Sequence, residues 1–236
     1  MVLRSGRGRS TARALAFACA TLPAIAASAP LAAVADLDPT NDWTIAPPEP
    51  LVDCEERLAA AGIHTRAARL PLRQQRAGFM CGAAQAVVYE SGPEKVRYNA
   101  QPVVTCKMAL ALARFEQVLQ EEAESAFGSR VVRIRQDGTY ACRKMARYSF
   151  VSEHAYGNAI DLSRFALANG RVISVERHFG RPSDEPRTAE AKFLRRLARR
   201  LYDEDVFSVV LTPYFDILHR NHFHLDLARY RADGTR

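Results

Sequence analysis

The chain holds six histidines, and three of them fall within one short run, His219-Arg220-Asn221-His222-Phe223-His224. Neutral imidazole nitrogens and carboxylate oxygens are the donors a zinc ion prefers in a tetrahedral site. His222 and His224 are two apart, so on a β-strand both side chains leave from the same face. Upstream, Ser152-Glu153-His154-Ala155-Tyr156-Gly157-Asn158-Ala159-Ile160-Asp161 places His154 and Asp161 on either side of a Gly-Asn pair. That spacing predicts a loop running into a buried strand over 159–162, with a ligand at each end. The two segments together can supply three protein ligands and leave a fourth position open, the pattern of a catalytic rather than a structural zinc site. A lone histidine on an apolar strand is usually a satisfied core residue; two matched segments argue against that plainer reading.

These residues also carry a family resemblance. Ser152, His154, Gly157, Ala159 and Asp161, followed by His222 and His224, resemble the zinc signature of the D-alanyl-D-alanine metallopeptidase, lysostaphin and hedgehog superfamily. Cys81-Gly82, Thr105-Cys106, Tyr140-Ala141-Cys142-Arg143 and Ser152-Glu153-His154 resemble the bacterial extensin-like C-terminal domain family, across about residues 51–230. The resemblance implies His154, Asp161 and His224 as ligands of Zn2+. It implies His222 as a histidine acting beside the metal on protons or on a developing oxyanion. His219 falls where the penicillin-insensitive murein endopeptidases, similar in their His-x-x-His-x-His run, carry a further active-site histidine. Arg143 matches an arginine that the superfamily often places near the substrate carboxylate, which a planar guanidinium binds bidentately; a surface salt bridge is the competing reading.

The implied activity is that of an exported zinc-dependent hydrolase, a peptidase acting on peptidoglycan peptide cross-links or stems. One departure bears on mechanism. The carboxypeptidase branch has a general-base Glu three residues before its last ligand, and this chain has Asn221 there. The Glu-based mechanism therefore does not carry over. A non-catalytic, zinc-containing envelope protein that binds a wall polymer is the alternative, and a metal-free adhesion module stapled by disulfides is the third reading.

Such a site needs a folded domain to hold it. With 236 residues, 48% hydrophobic and 25% charged, the chain has the length and composition of one sizeable globular domain. Net charge is +7, but Arg4, Arg7, Arg9 and Arg13 supply four of those charges, leaving +3 (7 − 4) for the remainder. That balance suits anionic wall polymers and makes no case for nucleic acid. Residues 1–35 combine those arginines with an uncharged alanine-rich run and a final Ala-Val-Ala, and read as an export signal. Pro23 and Pro30 make the run a poor anchor, so no stable membrane attachment is expected and the protein belongs in the periplasm or cell envelope. A proline-rich linker is expected over 36–50 and the domain itself over 51–232. In an oxidising compartment Cys54, Cys81, Cys106 and Cys142 should form two disulfides. Three pairings exist; pairing in sequence order, Cys54 with Cys81 and Cys106 with Cys142, is the expected one.

Periodicity predicts a short helix over 51–61, stopped by Gly62, and makes no assignment over 63–80. A strand is expected over 83–89. A long helix over 106–127 should be capped by Thr105 and stopped by Gly128. Strands over 130–135 and 139–143 would form a hairpin through Asp137-Gly138, and strands over 162–167 and 171–176 a second through Asn169-Gly170. A second long helix is expected over 188–207, with strands over 208–211 and 223–227. His64 and His178 read as surface residues. The fold class is α+β: an antiparallel sheet carrying the zinc site, flanked by helices. The resemblance implies a hedgehog/D-Ala-D-Ala-peptidase-like arrangement.

Overall fold

The computed structural model describes Ala32–Ala33 and residues 46–236. The expected export segment and linker lie outside these residues, apart from Ala32–Ala33 and 46–50. In chain order the strands are β1 (Ala32–Ala33), β2 (His64–Gln74), β3 (Met80–Ser91), β4 (Arg97–Tyr98), β5 (Val103–Thr105), β6 (Val131–Gly138), β7 (Ala159–Leu167), β8 (Val172–Ser174), β9 (Val209–Leu211), β10 (Phe223–Asp226) and β11 (Tyr230–Gly234). The α-helices are α1 (Cys54–Ala60), α2 (Cys106–Phe127), α3 (Val175–His178) and α4 (Ala189–Asp203). Among the described residues no helix is long and apolar enough to cross a membrane.

Helix ends follow the capping chemistry of the sequence. The Thr105 hydroxyl accepts the Met108 N–H at 3.2 Å to open α2, and Gly128 closes it at φ 58°, a left-handed conformation that suits glycine. Thr188 opens α4 by accepting from Ala191 N at 3.1 Å. α4 ends at Asp203, four residues short of the expected limit. Asp205 adopts φ 53° there, turning the chain so that Val206 and Phe207 enter the core.

α2 and α4 cover one face of a sheet ordered β1-β11-β9-β10-β7-β6-β4, with β8 beside β7. Alternation explains how one sheet serves both core and site. Ile160 and Leu162 of β7, with Phe223 and Leu225 of β10, are fully buried in the core shared with Phe115, Leu119, Phe193 and Leu197. Phe165 bridges the layers, 6.1 Å from the Phe193 ring and 6.4 Å from the Phe223 ring. The intervening residues Asp161, His224 and Asp226 consequently point to the other face. β7 and β10 are antiparallel, with His224 directly opposite Asp161. The sheet is not purely antiparallel as expected: β11 pairs parallel with β9, and β4 parallel with β6.

A second sheet, β2-β3-β5, takes its edge strand β2 from the unassigned stretch, and its β3 contains the strand expected over 83–89. β2 hides its pattern because it is an edge strand with exposed residues on both faces and three register shifts against β3. Gly82 is demanded by this pairing. Its φ is 94°, and a Cβ there would lie 2.2 Å from the Pro71 carbonyl oxygen.

The two disulfides join Cys54 to Cys106 and Cys81 to Cys142. This corrects the sequence-order pairing. The first links the starts of α1 and α2, which pack together, and the second ties β3 to the segment after β6. That segment is also not the expected strand over 139–143. β6 pairs with β7 on one side and β4 on the other, leaving no free edge for a hairpin partner. Residues 139–151 instead leave the sheet, held by the Cys142 disulfide, the Ala141 N–H donating to His154 O at 3.0 Å and a Lys144–Val151 bridge. The second hairpin forms as β7-β8, but its strand stops at Ser174, where α3 begins. His178 is therefore half-buried rather than exposed, and its Nδ1 accepts the Ser174 N–H at 2.9 Å.

Candidate metal and active site

His154 sits in a single 3₁₀ turn, Glu153–Tyr156, just before β7. The turn ends at Gly157 with φ 65°, where a Cβ would come within 2.7 Å of Leu70 Cδ1. Asn158 fastens the segment: its amide donates to Glu153 Oε2 at 2.7 Å and to Leu227 O at 3.0 Å, and it accepts from Thr105 Oγ1 at 3.0 Å. The residues between His154 and Asp161 thus anchor the turn to the residue after β10 and to the N-cap of α2.

Three donor atoms converge. His154 Nε2 lies 3.2 Å from Asp161 Oδ1 and 3.1 Å from His224 Nδ1, and His224 Nδ1 lies 3.0 Å from Asp161 Oδ1. Tetrahedral ligands about 2.0–2.1 Å from a zinc ion are separated from one another by about 3.3 Å. The triangle therefore has the dimensions of one face of such a tetrahedron. Three lone-pair atoms this close repel one another unless a proton or a cation lies among them. Burial opposes charge on His224, but hydrogen bonds to Asp161 and Asp226 outweigh it and raise its pKa to about 10. Burial likewise opposes charge on Asp161, and the His154 and His224 contacts hold it well below the usual carboxylate range. A bound metal would displace that proton.

The surrounding polar contacts fix which nitrogen faces the centre. Asp226 is 1% exposed and its Oδ2 lies 2.7 Å from His224 Nε2. A proton on Nε2 satisfies this carboxylate and leaves the Nδ1 lone pair aimed at the triangle, as a carboxylate behind a ligating histidine does. Sequence reasoning missed Asp226, although its position two residues after His224 on one strand face was a usable signal. Asp226→Asn should weaken zinc affinity about 10–100-fold with the fold intact, measured by competition with a chromophoric chelator. Unchanged affinity would remove its role in positioning His224.

His222 stands outside the triangle, its Nε2 3.7 Å from Asp161 Oδ1. Its Nδ1 is 2.8 Å from Asn221 Oδ1, so Nδ1–H donates to the asparagine carbonyl and Nε2 is left facing the triangle. Asn221, read from sequence only as a missing Glu, thus orients the neighbouring histidine. His219 belongs to the same cluster, its ring centroid 5.4 Å from that of His222 and 5.9 Å from that of His224. Its Nδ1 pairs with Asp216 Oδ1 at 2.6 Å, a partner three residues earlier that sequence reasoning also passed over. Burial lowers the pKa of both His219 and His222, which favours the neutral imidazole in each. Arg143 is exposed, off any strand, and lines the cleft that also contains Asp161, His219, His222 and His224. His64, at the far edge of the other sheet, takes no part.

No curated protein and no solved structure matches this chain. Residues 52–235, which include every donor of the cluster and all four disulfide cysteines, match the family model described as extensin-like protein C-terminus, and the chain belongs to that family.

Proposed function

We propose that the protein is an exported zinc-dependent hydrolase, a peptidase acting on the peptide cross-links or stems of peptidoglycan, related in site and fold to the D-alanyl-D-alanine metallopeptidase, lysostaphin and hedgehog superfamily. One observation carries the reading: His154 Nε2, Asp161 Oδ1 and His224 Nδ1 stand 3.0–3.2 Å apart on a sheet face that opens to a cleft. His154, Asp161 and His224 would hold the ion, which when bound supplies Lewis-acid polarisation of a carbonyl and acidifies a water.

The protein's own groups do the remaining work. His222, held by Asn221 with Nε2 toward the ligands, accepts a proton from the attacking water and returns it to the leaving amine. His219, its Nδ1–H held by Asp216, presents an Nε2 lone pair and serves as a second proton acceptor; it can donate toward the developing negative charge only after taking up a proton there. Arg143 offers a fork of donors to a substrate carboxylate. Two disulfides accord with an oxidising, exported setting.

The test is incubation of the purified protein with peptidoglycan and mass spectrometry of the soluble fragments. New peptide ends should appear, vanish on chelation and return with added zinc. A folded, zinc-loaded protein that releases none would transfer support to the non-catalytic, polymer-binding alternative.

A further inference from the structure

A cleft of about 390 Å³ lies over the His–Asp cluster and continues past it. Beyond the cluster its walls are apolar. Met145 and Tyr148 come from the loop after Cys142, Leu211 and Tyr230 from β9 and β11, and Phe215 and Leu218 from the segment leading into His219. Tyr148, Phe215 and Leu218 remain 39–49% exposed, so apolar area that folding could have buried is left open beside the polar centre. A concave apolar surface with a few convergent polar groups is the usual form of a small-molecule or peptide subsite. One rim carries Arg143, Lys144 and Arg147. Asp216 lies 3.9 Å from Arg147, and Arg143 pairs with no carboxylate among the described residues.

We propose that this cleft selects peptides carrying a bulky apolar residue, aromatic or branched aliphatic, beside the scissile amide, together with a carboxylate that meets Arg143 and Arg147, the Lys144 ammonium lying instead over the Phe79 ring. The proposal rests on the zinc-hydrolase reading of the adjoining triangle and goes beyond its peptidoglycan substrate, whose amides are flanked by alanyl, glutamyl and diamino-acid residues: it assigns the same site a second peptide class. The side chain of an alanyl residue would leave the apolar walls mostly unfilled. A benzyl or isobutyl group would cover them, and discrimination of about tenfold or more follows from burying that additional area.

The experiment uses the full chain, zinc-loaded, and two peptide hydroxamates that share one carboxylate and differ in a benzyl or a methyl side chain. Titration calorimetry should show the benzyl compound binding about tenfold or more tightly. Phe215→Ala with Leu218→Ala, both at exposed positions, should shrink that ratio toward one while the methyl compound's affinity holds. Arg143→Ala with Arg147→Ala should weaken both compounds alike and reduce the salt dependence of binding. Equal affinities, tighter binding of the methyl compound, or no binding of either to zinc-loaded protein would overturn the cleft's assignment. Failure of the chain to take up zinc would instead remove the reading beneath it, and the proposal with it.

Discussion

On the proposed zinc-hydrolase reading, replacing His222 by alanine should slow peptide hydrolysis by about a hundredfold or more with the metal retained, because loss of one acid–base or oxyanion partner typically costs that much. The geometry separates this residue from the ligands. Its Nε2 lies 3.7 Å from the shared Asp161 oxygen, whereas His154 and His224 approach that oxygen to 3.2 and 3.0 Å. His154→Ala, Asp161→Ala and His224→Ala should each lose both metal and activity, since each removes one corner of the triangle. Metal analysis beside turnover rates distinguishes the two classes. Equal metal loss in His222→Ala and His224→Ala would mean that the ligand within the His-x-His pair is assigned wrongly. Full activity in His222→Ala would end its role in proton transfer.

The second large effect concerns stability. Cys54–Cys106 and Cys81–Cys142 close chain segments 52 and 61 residues apart in sequence. Loops of that length give about 4 kcal/mol of stabilisation each through restriction of the unfolded chain. Cys54→Ala with Cys106→Ala should therefore lower the unfolding free energy by about 4 kcal/mol in denaturant titration and leave the metal triangle in place, since neither cysteine belongs to it. Removing Cys81 and Cys142 should cost a similar amount and also release the loop that carries Arg143, so substrate binding should weaken as well. Loss of less than about 1 kcal/mol in both pairs would show that the bridges add little to the fold.

The parts of the fold legible in the sequence were those set by local chemistry. Thr105 and Gly128 marked the ends of α2 because side-chain caps and left-handed glycine act within a few residues; Thr188, read only as the first helical residue, proved to be the cap of α4. His154 and Asp161 were legible because the Gly-Asn pair between them is a local turn signal, whereas the two-residue period offered His222 and His224 equally, and only the family resemblance chose His224; β10 begins at Phe223 and leaves His222 outside the triangle. What stayed hidden depended on distant partners. β2 carries no clean alternation, since an edge strand with bulges buries little on either face. Cysteine spacing could not reveal that α1 and α2 begin side by side. Asp137-Gly138 looked like a hairpin turn, yet β7 and β4 already occupied both edges of β6. Asn221 shows the limit most plainly: its identity signalled only the absence of a Glu, and its contact with His222 required the folded site.

The zinc-edge X-ray absorption spectrum of the purified protein tests the central claim most directly. About one zinc per chain is expected, ligated by nitrogen and oxygen at about 2.0–2.2 Å with no sulfur in the shell, and that signal should be lost in His224→Ala. Protein that holds no zinc after zinc is supplied, or zinc whose shell survives the loss of His224, would contradict that claim.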